Sequence, residues 1–236
     1  MKLRALGLGV FLMVVLLLGA TGLSAATISG LVKFDGVAPD LPSIKMDADP
    51  SCMKKHAMAP KVEVLLLGAG NTMGNVVVSI KSGLTQKSFP TPKDAVVVDQ
   101  NGCMYSPHVI VAMKDQPIKF RNSDGILHNI HALPKVNTAF NFAMPGSLTM
   151  SPDKAFSKSE DPFRIKCDVH PWMGAWIRIM EHPFYAVTSA DGKFTLNNVP
   201  AGTYLIEAWH EKLGAQTASV TVGAGDTKTL SFAFKK

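Results

Sequence analysis

The sequence predicts an all-β protein after residue 26. Short runs rich in Val, Ile, Thr, Phe and Tyr recur along the chain, turn-forming Gly, Pro, Asn and Asp separate these runs, and helical periodicity is almost absent. Many short strands at such spacing are typical of a β-sandwich or a β-barrel. We therefore expect a sandwich architecture that is built largely from hairpins.

The first 26 residues have the three-part pattern of a secretory signal. Lys2 and Arg4 give a cationic start, an apolar run covers 5–20, and the small residues up to Ala26 suit a signal peptidase. The apolar run is short for a membrane span, so a retained anchor is the minor alternative. We expect cleavage after Ala26, export to the periplasm, and no stable membrane insertion of the mature chain.

The expected strands are β-branched runs that end at turn signals. Asp191-Gly192 is a hairpin signal, 198–202 (Asn-Val-Pro-Ala-Gly) is a second turn, and 223–226 (Gly-Ala-Gly-Asp) is a third. In chain order the predicted strands cover 27–34, 75–81, 95–98, 108–113, 117–120, 163–167, 175–180, 185–188, 193–196, 203–209, 219–222 and 229–234.

Two proline-containing joints, at 88–92 and at His182-Pro183, divide the mature chain into three regions. An N-terminal β region covers 27–90, a central domain covers 91–182, and a compact run of hairpins covers 183–236. The first joint has an alternative, because the strands before it could complete the central sandwich.

The charge distribution argues against nucleic acid as a partner. The chain has 24 Lys and Arg against 18 Asp and Glu, which gives a formal net charge of +6 at pH 7. This mild positive charge is spread along the sequence, and no basic cluster is interleaved with aromatic residues, as a nucleic-acid interface would require.

A short loop in the central domain carries sulfur and imidazole groups at close spacing. Cys167, His170 and Met173 follow the pattern Cys-x2-His-x2-Met, and the stretch 127–131 (Leu-His-Asn-Ile-His) can supply a second imidazole. Two histidines, one cysteine and a weak axial methionine are the donor set of a blue-copper electron-transfer site. The pattern therefore predicts one type 1 copper ion.

The three cysteines favour the same interpretation. In an oxidising compartment thiols tend to pair, and an odd number leaves one that needs an explanation. Cys167 could pair with Cys52 or Cys103, and the Cys-His-Met spacing would then be a chance loop. If copper needs Cys167 as a thiolate, Cys52 and Cys103 remain to form a disulfide.

The loop 166–173 and the stretch 128–131 resemble those of cupredoxins, the small blue copper proteins, with a spacing closest to the amicyanin type. The resemblance implies a Greek-key β-sandwich in which His128, Cys167, His170 and Met173 bind copper and His131 does not. It also implies that the Asn129 N–H bonds the cysteine sulfur. The loop histidine would reach the surface through an apolar patch, which Phe142, Met144 and Pro145 could extend; Trp172 belongs either to this patch or to the core packing.

Two further resemblances cover the rest of the mature chain. As a whole it is similar to plastocyanin-like proteins that are often labelled methylamine utilisation proteins. Its tail, with Gly192-Lys193-Phe194 and 198–204, resembles carboxypeptidase regulatory-like domains. These are small transthyretin-like sandwiches without catalytic residues, so the resemblance implies an additional small β-sandwich module at 183–236.

The predicted function is transfer of single electrons between periplasmic redox partners, such as a cytochrome or a dehydrogenase. The alternative is periplasmic copper binding and delivery. An enzyme is not expected, because the sequence has no hydrolase, zinc-protease or phosphate-loop motif and no His-x-His pair of the multicopper oxidase type. His108 and His131 leave a second metal site open; for His108 we favour a hydrogen-bonded residue at a strand start.

Overall fold

The computed structural model describes residues 25–235, so the predicted signal peptide lies almost wholly outside the described residues. Within this range the chain forms fifteen strands, one short α-helix and one 3-10 turn, which confirms the all-β prediction. The helix, α1, covers Pro50–Met53, and the 3-10 turn covers Ala69–Asn71. The strands are β1 Ala26–Phe34, β2 Val77–Ser82, β3 Val96–Gln100, β4 Tyr105–Ser106, β5 Val109–Met113, β6 Ile118–Asn122, β7 His128–Leu133, β8 Phe140–Met144, β9 Glu160–Lys166, β10 Gly174–Met180, β11 Tyr185–Val187, β12 Lys193–Val199, β13 Gly202–His210, β14 Gly214–Val222 and β15 Thr227–Phe234.

The strands of the described residues form four sheets. A five-stranded sheet with the order β5-β10-β9-β7-β8 and a three-stranded sheet with the order β4-β3-β6 enclose one apolar core. We call this pair the site sandwich, because every predicted ligand lies in it. Its core side chains include Val98, Tyr105, Ile110, Ile118, Phe120, Ile130, Phe163, Ile165 and Ile177.

The other two sheets have the orders β12-β1-β15 and β11-β2-β13-β14. They enclose a second core, whose members include Ile28, Val32, Ile80, Phe194, Leu196, Tyr204, Ile206, Phe232 and Phe234. We call this pair the tail sandwich. The prediction of an additional small β-sandwich is confirmed, although the sandwich also contains β1 and β2, which lie outside the predicted range 183–236.

Strands from the N-terminal region are interior strands of the tail sandwich. β1 lies between β12 and β15, and β2 lies between β11 and β13. β1 approaches β15 closely: a Cβ atom on Gly30 would lie 1.6 Å from the Leu230 carbonyl oxygen. The alternative in which β1 and β2 complete the central sandwich is therefore wrong, whereas the domain boundaries at 90 and 182 stay a prediction.

A small third core joins the two sandwiches. It contains Val77 of the tail sandwich with Val109, Val111 and Met180 of the site sandwich. Beside it, the Trp176 and Trp209 rings meet edge to face, with their centroids 5.5 Å apart. No helix within residues 25–235 is long and apolar enough to cross a membrane.

The strands missed by the sequence analysis are β4, β7 and β8. β7 has the sequence His-Asn-Ile-His-Ala-Leu, which lacks a β-branched run, yet it is extended because it pairs with β8 on one side and β9 on the other. Tertiary pairing of this kind overrides weak strand propensity. It also places His128 at the start of a central strand.

Candidate metal centre

The predicted ligands come from neighbouring strands of the five-stranded sheet. Cys167 directly follows β9, and His170 and Met173 lie in the turn that leads into β10. The turn is closed by hydrogen bonds from the Cys167 N–H to the Met173 carbonyl (3.2 Å) and from the Met173 N–H to the His170 carbonyl (2.9 Å). Because β7 pairs with β9 on its other side, His128 lies beside the same turn.

The ligand atoms of His128, Cys167 and His170 all lie within 4.8 Å of one another. The two Nδ1 atoms are 2.9 Å apart, and the Cys167 Sγ is 3.8 Å from the His170 Nδ1. Atoms bound to one first-row metal ion at about 2.0–2.3 Å are at most about 4.6 Å apart, so these distances suit a single ion. Met173, 1% exposed, lies in the same core as Cys167.

Each predicted ligand histidine has a carboxylate at its Nε2 atom. The Asp124 Oδ2 is 2.9 Å from the His128 Nε2, and the Asp49 Oδ2 is 3.0 Å from the His170 Nε2. A carboxylate can only accept a hydrogen bond, so both Nε2 atoms carry a proton. In metal sites such carboxylates fix the tautomer and the orientation of the ring, and here both rings direct their Nδ1 atoms at each other.

The facing Nδ1 atoms test whether a metal fits. Two neutral rings with protonated Nε2 atoms present lone pairs to each other across 2.9 Å, with the rings 0% and 2% exposed. This arrangement needs a cation between the rings or an added proton on one of them. Burial lowers the pKa of His128, but hydrogen bonds and charge from Asp124 and Cys167 raise it above the ordinary value. With the Cys167 sulfur 3.8 Å from the His170 Nδ1, the nitrogen and sulfur donors present fit a copper ion.

The sulfur of Cys167 is prepared to act as a thiolate. Burial raises the pKa of this thiol, but hydrogen bonds from His128 and from backbone N–H groups, that of Asn129 first, outweigh burial and lower the pKa to about 7. The His170 N–H donates to the Sγ over 3.4 Å, which favours the thiolate, whereas the Asn129 side-chain oxygen accepts from the protonated thiol over 3.3 Å. A thiolate is the form of cysteine that binds metals.

The disulfide prediction is confirmed. Cys52 and Cys103 are joined, with their Cα atoms 5.6 Å apart, and Cys167 is free and buried. The bridge lies against the centre, because the Cys52 and Cys103 sulfurs and a ring nitrogen of His170 are all within 4.8 Å of one another.

The expectation that the loop histidine reaches the surface is wrong. His170 is 2% exposed because Asp49 covers its Nε2 edge. Trp172 lies beside it, with ring centroids 5.2 Å apart, and donates its indole N–H to the Cys103 carbonyl over 3.1 Å. Met144, expected in the apolar rim, is 0% exposed and belongs to the core.

His108 and His131 are both bonded elsewhere. The His108 Nε2 bonds the Glu211 carboxylate, and the His131 Nδ1 is 2.9 Å from the Asp168 Oδ2. Within the described range, neither belongs to a group of three or more His, Cys, Asp or Glu side chains whose ligand atoms converge. The favoured interpretation of His108 as a hydrogen-bonded strand-start residue agrees with this geometry.

The sequence analysis missed both carboxylates behind the histidines. Asp124 lies four residues before His128, and this spacing could have identified it. Burial raises the pKa of Asp124, but hydrogen bonds, that from His128 first, lower it to about 2. Asp49 is 121 residues from His170, and no local pattern connects the two.

One family of known sequences matches part of the chain. The family described as "Carboxypeptidase regulatory-like domain" matches residues 170–235, which supports the resemblance of the tail and begins before the predicted boundary at 183. The match covers less than a third of the chain. No curated protein matches the sequence.

Solved structures of copper proteins match about two fifths of the chain at low identity. Amicyanin from Paracoccus versutus is 19% identical, with a TM-score of 0.32, over 44% of this chain and 97% of its own. A purple cupredoxin from Nitrosopumilus maritimus is 16% identical, with a TM-score of 0.30, over 36% of this chain and 99% of its own. A copper-containing nitrite reductase from Thermus scotoductus is 19% identical, with a TM-score of 0.33, over 43% of this chain and 26% of its own.

Proposed function

We propose that this protein is an exported one-electron carrier with a single type 1 copper ion, held by His128, Cys167, His170 and Met173. One observation carries the proposal: two imidazole Nδ1 atoms and a thiol sulfur converge in a buried position within 4.8 Å. Met173 closes the same turn through its backbone. This combination of nitrogen, thiolate and thioether donors is specific to blue-copper centres among common metal sites.

The donor set suits repeated electron transfer. When bound, copper would supply the Cu(II)/Cu(I) couple, for which thiolate and imidazole are both suitable donors. The chain holds those donors in one arrangement. Asp124 and Asp49 orient the two rings, and hydrogen bonds from the Asn129 and His170 N–H groups orient the sulfur. A fixed geometry for both oxidation states keeps reorganisation small when the electron moves.

Burial favours a carrier over an enzyme. Metal-dependent enzymes keep an open ligand position for water or substrate. Here the two histidines and Cys167 are at most 2% exposed. The protein that surrounds the site would keep a substrate from the ion, whereas an electron can still pass through it.

The proposal includes export to the periplasm and exchange with a redox protein such as a cytochrome or a dehydrogenase. The export part of the proposal rests on the signal pattern of residues 1–26. It predicts that the mature protein begins at or near Thr27. N-terminal sequencing of the periplasmic protein tests this, and an intact Met1 in the membrane fraction would contradict it. We also propose that the protein belongs to the plastocyanin-like proteins that are often labelled methylamine utilisation proteins.

The test of function uses the protein loaded with Cu(II). We expect an intense visible band from thiolate-to-copper charge transfer, and rapid reduction by a soluble periplasmic cytochrome with the copper retained. Absence of the band would contradict a type 1 copper site. A band together with rapid passage of copper to an acceptor protein would instead identify a copper-delivery protein.

A further inference from the structure

A segment outside the ligand-bearing strands contacts the outer side of the centre. We call residues 46–56 the cap segment; it contains α1. Asp49 is the N-cap of this helix, and its Oδ1 accepts from the Ser51 N–H (2.9 Å) and the Ser51 hydroxyl (2.6 Å). Its Oδ2 is 3.0 Å from the His170 Nε2. One carboxylate therefore terminates a helix with one oxygen and bonds a predicted ligand with the other.

The cap segment is fixed at several points. Met46 is buried in the core of the site sandwich. The Cys52–Cys103 disulfide joins the middle of the segment to the loop before β4. His56, near its end, has its Nε2 2.7 Å from the Gly102 carbonyl. Asp49 is thus held in place by covalent and packed contacts, as a group that orients a ligand must be.

The cap segment also supports the other histidine. The Lys55 Nζ is 3.0 Å from the Asp124 carbonyl oxygen and 3.2 Å from the Asp124 Oδ1. The Asp124 Oδ2 in turn bonds His128. The segment therefore reaches one ligand directly, through Asp49, and the other through one intervening carboxylate.

We propose that Asp49 is a positioning residue for the metal centre, which holds the Nδ1 of His170 toward the bound ion and closes the imidazole edge to solvent and to partner proteins. The inference rests on the proposed copper function. It adds that a partner does not contact the His170 ring edge, and that the disulfide keeps the cap segment in place over it.

Two substitutions separate positioning from helix capping. Serine is a good N-cap residue, so Asp49→Ser keeps the bond to the helix and removes the contact with His170, whereas Asp49→Ala removes both. If Asp49 positions His170, both variants lose copper to a chelator about 10–100-fold faster than the wild type, as is typical when an outer ligand partner is removed. Removal of the negative charge also raises the reduction potential. Asp47→Ser, at an exposed position in the same segment, leaves both quantities unchanged.

A second measurement does not depend on copper. The imidazole nitrogen-15 shifts of the metal-free wild-type protein should show the His170 proton on Nε2, and Asp49→Ser should lose this preference. A His170 proton on Nδ1 in the wild type would overturn the inference without any variant. So would Asp49→Ser behaving as the wild type while Asp49→Ala alone lost copper. If the copper-loaded wild type shows no charge-transfer band, the proposed function fails, and the nitrogen shifts still decide whether Asp49 positions the ring.

Discussion

Two histidine clusters in this protein use their ring nitrogens in opposite ways. In the candidate metal centre, His128 and His170 each bond a carboxylate through Nε2 and direct Nδ1 at the other ring, 2.9 Å away. The second cluster, which we call the junction cluster, contains His108, Glu63 and Glu211. In it, His108 lies between the two carboxylates. Glu211 bonds its Nε2, and the Glu63 Oε2 is 3.5 Å from its Nδ1. One arrangement leaves lone pairs that converge, whereas the other places a carboxylate beside each ring nitrogen.

The two clusters differ in which ring nitrogens are engaged: in the candidate metal centre only the outer Nε2 atoms are, which leaves the Nδ1 atoms to converge. The junction cluster also joins the two sandwiches, because Glu211 directly follows β13 of the tail sandwich and accepts the Trp176 indole N–H over 2.7 Å. The charged groups of the junction cluster thus hold strands of the two sandwiches together. The candidate metal centre also pairs histidines with carboxylates, but a free sulfur, Cys167, faces its ring nitrogens.

The largest expected effect is on the visible absorption of the copper-loaded protein, which should distinguish the two clusters. Cys167→Ser removes the thiolate and should abolish the visible charge-transfer band of the copper-loaded protein. His108→Gln should leave the band unchanged, because no atom of His108 converges with the ligand atoms. Visible absorption at equal copper loading measures both. A band that survives in Cys167→Ser would place the copper elsewhere.

The local part of the candidate metal centre could be predicted from the sequence. Cys167, His170 and Met173 lie within seven residues, and their spacing alone brings them to one turn. The sequence did not predict Asp49, because its contact with His170 depends on how a distant segment folds over the turn. Nor did it predict that β1 and β2 would enter the tail sandwich, since their partners β12, β13 and β15 lie more than a hundred residues further along the chain.

The next effect concerns stability rather than colour. His108→Ala leaves Glu211 without its ion-pair partner at a position where both side chains are about 10% exposed (10% and 11%). Breaking a buried pair by removing one partner costs roughly 3–5 kcal/mol. Since the Trp176 N–H still bonds Glu211, we expect a loss at the lower end of this range, about 3 kcal/mol in the free energy of unfolding. Urea denaturation measures this loss.

The matched change in the metal centre should behave differently. His128→Ala in the metal-free protein removes one of two facing lone pairs. Asp124 loses its His128 partner but keeps the hydrogen bonds from the Gly102 and Cys103 N–H groups, so the variant should destabilise the fold less than His108→Ala does. It should also prevent normal copper binding. Equal destabilisation by the two variants, without copper, would show that the metal centre is as much a structural cluster as the junction.

The two clusters should respond to pH in opposite directions. Burial lowers the pKa of His108, but Glu211 and Glu63 raise it to about 9 from an ordinary value of 6.5. The folded state thus binds the proton more tightly than the unfolded state. The ion pair contributes fully below pH 6.5, and its contribution is lost as the pH rises through 9. We expect the wild type to lose stability over this window and His108→Gln to lose less of it.

Copper retention should instead improve over the lower part of that range. Protons compete for Cys167, whose pKa is about 7, and for His128, whose pKa is raised. Metal binding therefore releases protons and weakens as the pH falls below about 7. Competition with a chelator at several pH values measures this. Retention that does not depend on pH would contradict the proposed thiolate and imidazole ligands.

The smallest expected effect tests the weakest ligand. Met173→Gln should keep the copper and much of the charge-transfer band but lower the reduction potential, because an amide oxygen is a harder donor that favours Cu(II) over Cu(I). Met173 is 1% exposed, so an amide there is buried, and an unsatisfied polar group costs about 1–3 kcal/mol. Copper should restore part of that stability only if the amide oxygen binds it. Met104→Gln, at a partly buried position packed against the same core, is the control and should leave the potential unchanged. If the potential of Met173→Gln equals that of the wild type, Met173 does not bind the copper, and His128, Cys167 and His170 are the whole protein-derived ligand set.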